Sequence, residues 1–189
     1  MKRFTLPTAL FLLLASGTAL AHPGHDGGLV AGLTHPYTGL DHLLAMVAVG
    51  LWSAQQPAKD ALWKIPLAFV SVMAVGAFMG MTGLPLPQVE NGIVASVVFL
   101  GLLVAFSLRL HTGVGMALVA AFALFHGYAH GAEAPRDSLA AFATGFVLAT
   151  ASLHGLGVAL GWYTHRRAEV ILRVGGAGVA LAGAWLALN

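Results

Sequence analysis

The chain has 189 residues, of which 58% are hydrophobic and only 8% are charged, and its mean hydropathy is +0.84. A soluble domain carries about 25% charged residues, so there is too little polar surface here to cover a soluble globule. The nine lysines and arginines form no basic stripe, which argues against a nucleic-acid partner. Cysteine is absent, so a metal ligand must be imidazole, carboxylate or backbone oxygen.

The N-terminal residues are typical of a secretory signal peptide. Met1-Lys2-Arg3 is a positive start, residues 4 to about 14 are apolar, and Ala19-Leu20-Ala21 is a small-residue cleavage site. The alternative is an uncleaved membrane anchor, which the short apolar stretch and Pro7 disfavour. The sequence therefore predicts a signal peptide over 1–21 and a mature chain over 22–189 that begins outside the cytoplasm.

Six hydrophobic segments follow, each near the roughly 20 residues that a helix needs to cross hydrocarbon. Backbone groups in lipid must satisfy their own hydrogen bonds, so helices are the expected structure. The segments are 36–54, 62–82, 89–108, 113–130, 138–163 and 170–188. The predicted fold class is all-α, a polytopic membrane helical bundle with six transmembrane helices after a cleaved signal peptide.

The positions of lysine and arginine give this bundle an orientation. With the mature N-terminus outside, Arg136 falls on the outer side of the membrane. Six others fall on cytoplasmic loops or helix ends: Lys59, Lys64, Arg109, Arg166, Arg167 and Arg173. The positive-inside rule requires such a bias. We expect a multi-pass protein of the bacterial inner membrane with both mature termini in the periplasm.

The first polar cluster opens the first segment and contains His35, Asp41 and His42 in an H-x5-D-H arrangement. Pro36 suits the first turn of a helix, and a residue that precedes proline is disfavoured in helical geometry. We therefore expect His35 to cap the helix. Seven residues are nearly two helical turns, so His35 and His42 should lie on the same side.

The second cluster closes the fourth segment and contains His126, His130 and Glu133. A spacing of four puts both histidines on one helix face, as in helices that present two imidazoles to one metal ion. The first and fourth segments run in opposite directions, which puts both clusters roughly 10 Å below the outer surface. A buried Asp41 costs about 2.5–3.5 kcal/mol on translocon scales, and a divalent cation would offset that cost. The alternative for each histidine is an interhelical hydrogen bond.

Four further residues are candidates for the entrance or path of an ion, and each has a structural alternative. His154 would lie deeper than both clusters, as a second stop or as an interhelical hydrogen bond. Glu90 is either an entrance ligand or a carboxylate favoured by the helix dipole. His22 and His25 would chelate an ion at the mature N-terminus or lie in a polar tail. Imidazole and carboxylate without thiolate leave Ni²⁺, Co²⁺ and Zn²⁺ open.

At these motifs the sequence resembles the HupE/UreJ family of membrane proteins. The resemblance rests on His22-Pro23-Gly24-His25, on the H-x5-D-H motif, on Glu90-Asn91-Gly92-Ile93 and on the FHGYAHGAE segment over 125–133. It implies secondary transport of nickel or cobalt for hydrogenase or urease maturation. It also implies a set of metal residues: His35, Asp41, His42, His126, His130 and Glu133.

The function that follows is that of a permease and not of an enzyme. It would take up nickel or cobalt ions across the inner membrane, with no prosthetic group and with zinc as a further candidate ion. No nucleotide motif is present, so ATP would not be used directly. The expected partners are the lipid bilayer, the divalent metal ion and the maturation proteins of hydrogenase or urease.

Two other functions stay open. An intramembrane zinc hydrolase would use the same histidines, with Glu133 or Asp41 as general base. A metal-binding accessory protein of another transporter would bind the ion without carrying it across the membrane.

Overall fold

The computed structural model describes residues 28–165 and 169–188, and every regular element in these ranges is helical. The helices are α1 (Leu29–Thr38), α2 (Leu40–Gln55), α3 (Ala61–Thr82), α4 (Val89–Ala105), α5 (Thr112–Glu133), α6 (Leu139–His165) and α7 (Glu169–Leu186). A 3-10 turn, Arg136–Ser138, precedes α6. The all-α prediction is confirmed, while the predicted signal peptide, His22 and His25 lie outside the described residues.

The outer surface of the molecule is apolar. Phe78 on α3 is 60% exposed, and Val170 and Leu181 on α7 are 71% and 72% exposed. Four helices, α3, α5, α6 and α7, are long and apolar enough to cross a membrane, and α4 is apolar with 17 residues. Side chains of this kind suit contact with lipid tails and are costly in water. These features are those of a membrane protein, and the number of six spans stays a prediction.

The first hydrophobic segment departs from its prediction. The helix begins at Leu29 and is interrupted at Gly39, whose backbone is extended (φ −88°, ψ 116°). His35 therefore lies inside α1, and the expectation that it caps a helix is wrong. The reason is packing against α6, because a Cβ at Gly32 would stand 2.0 Å from the carbonyl oxygen of Phe142. That contact holds the residues before the proline in a helix, against their local preference.

The helices associate mainly as tightly packed pairs. Helix α3 packs along α5, α2 along α6 and α4 along α7, and α1 also lies on α6. Glycines set the closest contacts. A Cβ at Gly127 would stand 1.9 Å from the carbonyl oxygen of Met73, and one at Gly50 would stand 2.2 Å from that of His154. No larger residue fits at such a separation, so these glycines fix the spacing within the pairs.

Hydrogen bonds close one end of the bundle. The indole Nε1 of Trp52, near the end of α2, donates to the carbonyl of Leu108 at 2.8 Å. The side-chain amide of Gln55 donates to the carbonyl of Val104 at 3.1 Å. Both Trp52 and Gln55 are buried. The end of α2 is thereby tied to the end of α4 and to the connection between α4 and α5.

Candidate metal centre

The break between α1 and α2 positions Asp41 and His42. Asp41 lies in the first turn of α2, where the helix dipole favours a negative charge. Its Oδ1 accepts the backbone N–H of His42 at 2.8 Å and the ring Nδ1–H of the same residue at 2.7 Å. Gly39 leaves room for this geometry, because a Cβ there would stand 2.9 Å from Oδ1. The carboxylate thus favours the tautomer of His42 that carries its proton on Nδ1 and leaves Nε2 unprotonated, which is called a bare nitrogen below.

Four imidazoles from three helices meet beside this carboxylate. The ring centroid of His42 lies 4.9 Å from that of His126 and 4.4 Å from that of His130. The ring of His35 lies 4.8 Å from that of His130. The two polar clusters in the sequence are therefore one in the fold, and the four residues are called the histidine cluster below.

Glu133 extends the histidine cluster towards the surface. Its Oε2 lies 3.9 Å from Nε2 of His35, and its side chain is 68% exposed. Ligand atoms of His35, His130 and Glu133 all lie within 4.8 Å of one another, close enough to share one metal ion. His126, by contrast, is fully buried. The cluster therefore has an open end at Glu133 and a buried end at His126.

Ser96 holds the buried end in place, although nothing in the sequence pattern marks this residue as part of a site. Its hydroxyl donates to the carbonyl of Ile93 at 2.6 Å, which uses its only proton. The same oxygen lies 2.8 Å from Nε2 of His126 and so accepts the N–H of that nitrogen. Nδ1 of His126 is left bare. Metal-binding histidines commonly donate their second N–H to a fixed acceptor in this way.

Bare nitrogens are concentrated in the histidine cluster. His42 Nε2, His126 Nδ1 and both ring nitrogens of His130 are buried, with no hydrogen-bond partner among the residues that the structure describes. Leaving one buried polar atom unpaired costs roughly 1–3 kcal/mol. Several such atoms in one place, at least one of them a lone pair on each of His42, His126 and His130, indicate that this cluster serves a ligand.

Comparison with known proteins agrees with these motifs. The profile of the family described as HupE / UreJ protein matches residues 10–186. The chain belongs to the HupE/UreJ family. It is 47% identical over 189 residues to "Protein HupE" of Rhizobium leguminosarum bv. viciae, which covers 98% of both chains. No solved structure matches the chain. The family resemblance drawn from the motifs is confirmed.

The other candidate residues of this HupE/UreJ chain lie on different helices. His154 is buried on α6, and its Nδ1–H donates to the carbonyl of Met46 on α2 at 2.8 Å. The interhelical hydrogen bond weighed for His154 is therefore present. Glu90 is exposed in the first turn of α4, where the dipole favours a carboxylate whether or not it meets an ion. His111 caps α5, because its Nδ1 accepts the N–H of Gly113 at 3.2 Å.

Proposed function

We propose that this chain is a secondary transporter that takes up nickel or cobalt ions across the bacterial inner membrane and supplies hydrogenase or urease maturation. The observation that carries the proposal is the gathering of four imidazoles and one carboxylate inside an apolar bundle. Membership of the HupE/UreJ family supports it. The relative named "Protein HupE" supports the link to hydrogenase.

The chemistry of the histidine cluster suits a divalent ion of the late first transition row. Imidazole nitrogens with a carboxylate favour Ni²⁺, Co²⁺ and Zn²⁺ over Mg²⁺ or Ca²⁺, which prefer oxygen ligands throughout. A cation beside Asp41 would also offset part of the cost of holding a carboxylate in an apolar bundle, where its side chain is 24% exposed. The ion therefore stabilises the carboxylate while the bare nitrogens bind it.

The two ends of the bundle support uptake from outside. At one end Glu133 is exposed and His35 is half-buried, while Trp52 and Gln55 close the other end. In the predicted orientation the exposed end faces the periplasm. An ion would meet Glu133 first and exchange water for His35 and His130. It would then bind beside Asp41, whose side chain is 24% exposed, on the way to the buried end at His126.

Uptake into proteoliposomes tests the proposal. Ni²⁺, Co²⁺ and Zn²⁺ are compared with the wild type and with Asp41→Asn. The amide keeps the shape and an oxygen that can accept from His42, but it removes the charge that favours a cation. We expect the wild type to accumulate Ni²⁺ or Co²⁺ and Asp41→Asn to accumulate neither. Binding and uptake by Asp41→Asn at wild-type levels would reject this site.

His111→Asn is the matched control, because asparagine is a good helix N-cap and His111 lies outside the histidine cluster. We expect it to transport like the wild type.

The same preparation distinguishes transport from the two alternative functions. An accessory protein would bind the ion without flux, and a zinc hydrolase would cleave a lipid amide or ester when loaded with zinc.

A further inference from the structure

A buried histidine outside the histidine cluster carries the next inference. We propose that His154 is an inner metal station, whose Nε2 receives the ion after the histidine cluster and passes it towards the cytoplasmic end of the bundle. This inference rests on the proposed transport function. It adds a site on α6, a helix that contributes no ligand to the histidine cluster.

The hydrogen bonding of His154 orients its ring and leaves one nitrogen free to bind a metal ion. The side chain is 2% exposed, and its Nδ1–H is fixed by the carbonyl of Met46. Its Nε2 is buried and has no hydrogen-bond partner within residues 28–165 and 169–188. His42 and His126 have the same arrangement, with one N–H anchored and the other nitrogen bare. A histidine that only joined α2 to α6 would gain nothing from an unpaired second nitrogen.

Phe69 of α3 connects His154 to the histidine cluster. Its ring centroid lies 5.0 Å from that of His154, in an edge-on arrangement, and 5.7 Å from that of His126. One aromatic ring therefore contacts both imidazoles. Thr150, one turn before His154, is also buried, and its hydroxyl lies 3.9 Å from the sulfur of Met73. The imidazoles of His126 and His154 thus lie on either flank of one buried phenyl ring.

A surface groove also reaches His154. It lies between α3 and α6, has a volume of about 480 Å³, and its lining includes Leu62, Trp63, Pro66, His154 and Val158. Leu62 and Trp63 lie in the first turn of α3, at the predicted cytoplasmic end. His154 therefore adjoins both Phe69, which contacts the histidine cluster, and a groove that extends to the predicted cytoplasmic end of α3.

Two substitutions separate a ligand role from a structural one. In His154→Asn the side-chain amide can still donate to the carbonyl of Met46, but no atom reaches the position of Nε2. In His154→Gln the longer side chain places an amide oxygen near that position. A structural role predicts that Asn replaces histidine at least as well as Gln, and a ligand role predicts the reverse.

The full-length variants are purified in detergent, titrated with Co²⁺ and then reconstituted for Co²⁺ uptake. We expect His154→Asn to bind Co²⁺ at the histidine cluster nearly as the wild type does, with uptake reduced about tenfold or more. His154→Gln should retain more uptake than His154→Asn. Uptake by His154→Asn equal to that of the wild type, or above that of His154→Gln, would overturn the inference. So would loss of Co²⁺ binding in a folded His154→Asn protein, which would make His154 part of the first site.

The wild type keeps this result distinct from a failure of the proposed function. If the wild type binds Co²⁺ without transporting it, the transport proposal fails and takes the inner station with it. If the wild type transports and His154→Asn transports equally well, only the inner station fails. Gly175→Ala on α7 is the control, because a Cβ there meets no atom within 4 Å and the residue lies outside both the histidine cluster and the groove. It should leave both binding and uptake unchanged.

Discussion

At the scale of single residues, the orientation of the His42 and His126 rings depends on the hydrogen bond that one ring nitrogen makes. The carboxylate of Asp41 anchors His42, and the hydroxyl of Ser96 anchors His126. Each anchor fixes a tautomer and limits rotation of the ring, so the bare nitrogen is oriented before an ion arrives. Such preorganisation lowers the entropic cost of binding.

The anchor on His126 can be removed without touching a ligand. Ser96→Ala deletes the acceptor of the Nε2–H, which frees the ring to rotate and to exchange tautomers. We expect the affinity of the purified protein for Ni²⁺ or Co²⁺ to fall about 10–100-fold, as measured by titration. Ser53→Ala is the control, since Ser53 is equally buried and its hydroxyl donates to the Gly50 carbonyl of its own helix. Unchanged affinity in Ser96→Ala would show that the hydroxyl does not orient the ring.

The sequence could predict the candidate ligands but not their anchors. Spacing along one helix places His126 and His130 on one face, and that inference needs no tertiary information. The role of Ser96 depends on how α4 faces α5. A serine in an apolar helix usually bonds to its own backbone, as Ser53 does, so the pattern around Ser96 gives no warning of a second partner.

At the scale of helices, long apolar runs made the later elements predictable. The second predicted segment, 62–82, is within one residue of α3 (Ala61–Thr82), because turn-forming residues bound it on both sides. The predicted start of the first segment was wrong for a physical reason. Pro36 suggests a helix start from local geometry, but α1 continues through it because Gly32 packs directly on α6. A contact between distant helices cannot be seen in a local pattern.

The spacing of α3 and α5 offers a test at this scale. Gly127→Ala would place a methyl group 1.9 Å from the carbonyl oxygen of Met73, so the two backbones must separate. We expect a loss of about 1–3 kcal/mol in stability and weaker Co²⁺ binding, because His126 and His130 lie on the displaced helix. Thermal unfolding and Co²⁺ titration measure both effects.

Gly178→Ala on α7 is the control for the α5 substitution. A Cβ at Gly178 meets no atom within 4 Å, so the substitution should leave Co²⁺ binding intact and unfolding unchanged or slightly improved. If Gly127→Ala and Gly178→Ala behaved alike, the α3–α5 contact would be looser than the structure has it.

At the scale of the whole molecule, orientation in the membrane is the main prediction. The bias of lysine and arginine predicts that both mature termini lie in the periplasm. A periplasm-active reporter fused after the last residue should be active, and the same reporter fused at Arg166 should be silent. The reverse pattern of reporter activity would contradict the layout of six spans.

N-terminal sequencing tests the predicted signal peptide. The sequence of the membrane-bound protein should begin at His22, directly after Ala21.

Under the proposed transport function, the pairing of the helices limits how fast an ion can pass. His42 comes from α2, which packs on α6, whereas His126 and His130 come from α5, which packs on α3. An ion bound to these histidines therefore links the α2–α6 pair to the α3–α5 pair. Its residence time depends on how strongly it binds the ligands of both pairs. Cu²⁺ binds such ligands more tightly than Ni²⁺ or Co²⁺. We therefore expect Cu²⁺ to occupy the site for longer, to inhibit Co²⁺ uptake and to cross the membrane slowly itself. If Cu²⁺ crossed as fast as Co²⁺ in the same vesicles, release of the ion would not require the two helix pairs to separate, and this prediction would be wrong.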